Sequence, residues 1–253
     1  MNLPPHDGFV PFAASLLVFL ALQRWLYREL QAVFLLITRR SAAAMNLFSL
    51  LLFPGVFLHE LSHLLMALLL GVKAGRFSLI PRMLADGKIR LGYVETAATD
   101  PIRDTLIGAA PLISGVAVLS FLMNRPLGLL PLASLLFSET WGEFWAEAAQ
   151  LPARPDFWLW FYLAFAISST MLPSAADRRA WWSLGLFIGL MLILSLLPGM
   201  SEWLLENVAP AVNQGLLGLS LIFVASGLIH LVLVIPALIL RIAISGITGL
   251  RVG

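Results

Sequence analysis

The sequence predicts an all-α polytopic membrane protein, with about six transmembrane helices and one small β-hairpin. Two observations carry this. Of 253 residues, 60% are hydrophobic and only 12% charged, with a mean hydropathy of +0.92; a soluble domain would be nearer a quarter charged. Apolar runs long enough to cross a bilayer also recur from end to end. No composition shift or low-complexity tract divides residues 1–253, so they are read as one integral-membrane domain.

The first run lies within 9–38 and is interrupted by Arg24, Arg28 and Glu29, so one tilted helix and a broken pair both remain open. The second, 43–71, contains His59-Glu60-Leu61-Ser62-His63. The third is 104–124, the fourth 157–173, the fifth 180–198 and the sixth 212–240. Between the second and third, alternation in Lys88-Ile89-Arg90-Leu91 and the turn dipeptide Asp86-Gly87 predict a β-hairpin over 76–94. In 138–150, Glu139, Glu143 and Glu147 recur every fourth residue, with Trp141, Phe144 and Trp145 on another face. That pattern suits a helix lying flat in the membrane interface.

Several classes are excluded or constrained. There are no cysteines, which removes disulfides and thiolate metal sites. The net charge of +2 is too small to suggest a nucleic-acid partner. Residues 1–10 lack the basic start of a cleavable signal peptide.

Basic residues set the orientation. Lys73, Arg76, Arg82, Lys88, Arg90 and Arg103 fall in one loop; Arg178, Arg179, Arg241 and Arg251 share its side if spans three to six each cross once. The opposite loops hold only Arg125 and Arg154. The expectation is a multi-pass protein of the cell (inner) membrane, with the basic side cytoplasmic. Arg39-Arg40 falls on the other side, against the trend.

The chemistry centres on HELSH. Positions i and i+4 share a helix face, so His59 and His63 can hold one cation from a single helix. Zn2+ suits neutral imidazole. Glu60 lies about 100° further round the helix, beside the cation, where it can take a proton from water. HExxH with this division of roles is a zinc hydrolase signature, and ionisable residues inside a span are costly and usually functional. The competing reading is two histidines that merely hydrogen-bond to neighbouring helices. Pro54-Gly55, just ahead, should kink or open the helix. Zinc in a catalytic site takes three protein ligands and keeps one position open. The candidates for the third are Asp177, His230, Glu95 and Glu139; on composition alone Asp177 reads better as a helix cap or a partner of Arg178 or Arg179.

HELSH in a span, a basic β-prone loop, "RDTLIGAAPLISG" and then "SSTMLPSAAD" together resemble the site-2 protease family of intramembrane zinc metalloproteases, over about residues 50–182, within a core read as about 43–182. The resemblance implies a catalytic core over that range, zinc bound by His59, His63 and Asp177, and Glu60 as the catalytic base. It implies hydrolysis of peptide bonds in or near transmembrane segments of membrane-protein substrates, within the lipid bilayer. The chain departs from the family's pattern: Ala110-Pro111 stands for Gly-Pro, Ser114 and Thr170 for two asparagines that help hold substrate, Arg178 for a glycine, and Pro173 to Asp177 is one residue short. Either Ser114 and Thr170 take over substrate binding, or the chain has its own substrate mode, or it is inactive. Glu60 argues against inactivity, because a metal scaffold needs no base. The resemblance also makes the loop after HELSH an edge that captures an unwound substrate, with Ile89 and Leu91 on it. Two further classes compete: an inactive relative that binds transmembrane segments as adaptor or chaperone, and a metal transporter using HELSH and His230.

Overall fold

The computed structural model describes residues 8–83, 89–137, 140–197 and 199–250. Of 83, 89, 136, 137, 179, 180, 183, 184, 187, 188 and 192 only the backbone is described. The chain is mostly helical. Among the described residues, three helices are long and apolar enough to cross a membrane: α1 (Phe9–Thr38), α4 (Pro101–Asn124) and α10 (Ala209–Thr248). A fourth candidate is the pair α2 (Ser41–Leu51) and α3 (Phe53–Leu69), bent by 73°. Multi-pass membrane insertion follows from these helices.

The expected first span is one unbroken helix. The expected second span is not: α2 stops at Leu51, and Pro54 enters the first turn of α3, where its missing N–H costs least. The expected fourth and fifth spans are realised as α7 (Phe157–Thr170) and α8 (Trp182–Leu194), of 14 and 13 residues. Each is shorter than the roughly 20 residues that a span needs. Short helices α5 (Leu129–Phe137), α6 (Trp141–Gln150) and α9 (Met200–Asn207) fill the connections. In α6, the expected interfacial helix, Phe144 is buried while Trp141 and Trp145 are exposed.

The hairpin forms as a two-part antiparallel arm. Strand β1 (Ala74–Ser78) pairs with β4 (Tyr93–Thr96), and β2 (Arg82–Met83) with β3 (Ile89–Arg90). A register shift between Ala74 and Phe77 interrupts the outer ladder. Asp86-Gly87 and Lys88 lie outside the described residues, as does Glu139.

Helices α1 and α10 pack together along much of their length, and α3 packs against α4 and α7. Phe19, Leu26, Leu52, Leu119, Met123 and Ile229 are fully buried between them. Glu29, an interruption of the first apolar run, is explained here: its carboxylate pairs with the Arg241 guanidinium of α10. Removing one partner leaves an uncompensated charge among apolar helices. Glu29→Ala should therefore destabilise the fold, by somewhat less than the about 3–5 kcal/mol of a fully buried pair, because Arg241 is 32% exposed. Thermal unfolding in detergent checks this; the swap Glu29→Arg with Arg241→Glu should recover part of the loss, and no recovery would argue against a direct pair.

Candidate metal centre

Helix α3 carries His59, Glu60 and His63, and its approach to α7 depends on Gly55. A Cβ there would run into the Ala166 carbonyl oxygen and the Thr170 side chain. Gly108 plays the same part on α4, where a Cβ would meet the Asp177 backbone. These close backbone approaches draw three elements together around the HELSH face.

The two imidazoles are each held from behind. His59 Nδ1 lies 2.7 Å from the Thr170 carbonyl oxygen. His63 Nδ1 lies 2.8 Å from the Ile107 carbonyl oxygen. A carbonyl oxygen only accepts, so each Nδ1 carries the hydrogen and each neutral ring presents a bare Nε2 lone pair. Those two Nε2 atoms face each other at 3.3 Å. Asp177 completes the group: Oδ1 is 3.2 Å from His63 Nε2 and Oδ2 is 3.6 Å from His59 Nε2. Three electron-rich groups so placed require a cation among them, either a proton on one ring or a metal ion. Tetrahedral zinc with ligands at about 2.0–2.1 Å sets neighbouring donor atoms about 3.3 Å apart; the two Nε2 atoms stand at 3.3 Å, and one donor atom from each of the three residues lies within 4.8 Å of the others.

Asp177 is presented by a turn. Pro173 cannot continue α7, which ends at Thr170. The Ser174 N–H donates to Asp177 Oδ2 at 2.7 Å, and the Asp177 N–H donates to Ser174 Oγ at 3.3 Å. This reciprocal Ser-x-x-Asp box resembles a helix capping box, and a short 3₁₀ turn, Asp177–Trp181, follows. The cap reading and the ligand reading of Asp177 are thus compatible. Burial works against its ionisation, but His59, His63 and the Ser174 N–H outweigh it and hold the carboxyl below the usual carboxylate range.

A cavity of about 760 Å³ contains the trio and is also lined by Glu60, Leu91, Gly92 and Thr170. Glu60 is mostly buried, outside the converging group. The chain comes so close at Gly92 that a Cβ there would lie 2.8 Å from Glu60 Cγ.

The other site expectations fare differently. Leu91 faces the cavity; the Ile89 backbone pairs in the inner ladder, and its side chain is not among those described. Thr170 lines the cavity, but its hydroxyl donates back to the Ala166 carbonyl at 3.1 Å. Ser114 is off the cavity, with its hydroxyl 2.5 Å from that of Ser62 between α3 and α4. Glu95 accepts from the Arg76 N–H in the hairpin and lies apart from the trio. His230 is fully buried: its Nδ1 donates to the Ser226 carbonyl at 2.8 Å, and its Nε2 accepts from Ser169 Oγ at 3.1 Å. Both nitrogens are engaged, and Phe19 packs edge-on against the ring at 5.2 Å.

Residues of α1 were missed as part of the site. Gln23 Nε2 and the Tyr27 hydroxyl both donate to the Ser169 carbonyl, at 2.7 and 2.5 Å. Together with Arg24 they line the cavity. The signal was available, since Gln23, Arg24 and Tyr27 break an apolar run within one helical turn. No known family model, curated protein or solved structure matches this chain.

Proposed function

We propose that the chain is an intramembrane zinc endopeptidase that hydrolyses peptide bonds in or near transmembrane segments of membrane proteins. One observation carries the reading: two imidazole nitrogens and a carboxylate converge within 4.8 Å of one another, with Glu60 in the same cavity, inside an assembly of apolar helices.

His59, His63 and Asp177 would hold the ion, leaving one side open to the cavity. Zinc in such a site supplies a Lewis acid that polarises a carbonyl and makes a nearby water a better nucleophile. Glu60 takes the proton from the attacking water and returns it to the leaving amine. Leu91, Gly92, Val94 and Thr96 border the cavity, so β4 and the residues before it offer a backbone edge to an unwound substrate.

The test is direct. Purified protein should carry one zinc per chain and cut a synthetic transmembrane peptide, with both lost on chelation. Absence of zinc from a protein that stays folded and is supplied with the metal would sink the reading.

The cation excess supports a cytoplasmic position for the hairpin and Arg178, if the apolar runs 157–173 and 180–198 each cross once. A chain without native cysteines makes this easy to check. Arg76→Cys should resist an impermeant thiol reagent applied outside intact cells and react once the membrane is opened. Labelling from outside would invert the topology.

A further inference from the structure

Both histidines are oriented by backbone carbonyls, and each carbonyl is free for a reason written in the sequence. In an α-helix the carbonyl of residue i accepts from the N–H of residue i+4. Pro111 sits inside α4, fully buried, and has no N–H to give. The carbonyl left without its helical donor is that of Ile107, four residues earlier, and it accepts from His63 Nδ1. On α7, Pro173 leaves the Ser169 carbonyl without its donor, and Gln23 and Tyr27 take it over. The helix ends one residue later, which frees the Thr170 carbonyl for His59 Nδ1. The Ser174 N–H would have served Thr170 had the helix continued; it binds Asp177 Oδ2 instead. Each of the three converging side chains is therefore steered by a backbone group that a proline has released.

We propose that Pro111 and Pro173 are positioning residues of the metal centre: they release the carbonyls that set His63 and His59 as Nδ1–H tautomers, with both Nε2 atoms turned toward Asp177. The consequence for metal affinity rests on the zinc reading above; the tautomers themselves do not. A bland alternative is that the prolines only shape α4 and α7 for packing. It differs in one respect, because packing alone would leave the imidazole tautomers unchanged on substitution.

The experiment uses the full chain with nitrogen-15 histidine. Only four histidines occur, so each ring can be assigned by the signal lost in a single His→Gln variant. Metal-free wild type, above the pH of imidazole titration, should show His59 and His63 as Nδ1–H tautomers. In Pro111→Ala the new N–H draws the Ile107 carbonyl back along the α4 axis. His63 should then become a tautomer mixture while His59 stays as it was. Zinc affinity, measured against a competing chelator, should fall about 10–100-fold, as is usual when a group supporting a ligand is lost. Thermal stability should change little on balance, since the gain from a good helix former offsets the lost burial of the proline ring. Pro173→Ala provides the second arm and should disturb His59 rather than His63.

A wild-type Nε2–H tautomer at His63 would overturn the inference, as would unchanged tautomers and zinc affinity in both proline variants. If the tautomers respond to the substitutions but wild type binds no zinc, the positioning role stands and the protease reading fails.

Discussion

Glu60→Gln is expected to retain one zinc per chain and to lose about 10²–10⁴-fold in hydrolysis of a transmembrane peptide, the usual contribution of a positioned general base. The argument starts from helix geometry. Glu60 follows His59 by one residue, so its side chain leaves the helix about 100° away. It lies in the cavity with the trio but outside the converging set. Glutamine has nearly the same shape and should keep the close packing against Gly92. It cannot accept a proton at neutral pH, so only the proton-transfer role is removed. Zinc content and unfolding temperature should match wild type. Cleavage at the wild-type rate would show that Glu60 is not the base; loss of zinc would show that it is a ligand.

Asp177→Ala should lose zinc more severely than any proline variant, by more than the about 100-fold at the upper end for supporting groups. Both carboxylate oxygens face the histidines, and one also holds the Ser174 N–H. Alanine therefore removes a ligand and loosens the turn that presents it. Asp177→Asn separates the two effects: it keeps an acceptor oxygen for Ser174 but removes the charge, so its affinity should fall between those of wild type and alanine. Full zinc retention in Asp177→Ala would exclude it as a ligand. Zinc affinity should also decline as pH falls, because protons compete with the metal for the imidazole nitrogens. Asp177 should contribute little to that decline, since its carboxyl is held below the usual range and stays ionised there.

How much was legible beforehand depended on how far apart the relevant residues lie in the chain. Helical character follows from apolar composition and the 3.6-residue repeat, and α1, α4 and α10 fall where the apolar runs place them. The pairing of His59 with His63 is a property of one helical turn. The opening of the chain near Pro54-Gly55 and the hairpin after Val72 were also local signals. Span lengths were less legible. A hydropathy run does not mark where a helix ends, and Pro173 cuts the fourth run short at Thr170.

Local sequence carries the membrane class, the HELSH face with Glu60 one step around the helix, and the prolines that interrupt the backbone ladders. The tertiary structure decided which distant group meets that face. Asp177, His230 and Glu95 were all open, and packing brings Asp177 to the histidines, buries His230 against Ser169 and Phe19, and leaves Glu95 in the hairpin. It also paired Glu29 with Arg241 and turned Ser114 to Ser62. The physical reason is range. Capping, periodicity and proline breaks act over four residues or so, whereas the distant partner of the HELSH face is placed by how closely whole helices can approach. Here that approach was set by the missing Cβ atoms of Gly55 and Gly108, whose partners could be known only once α3, α4 and α7 were packed together.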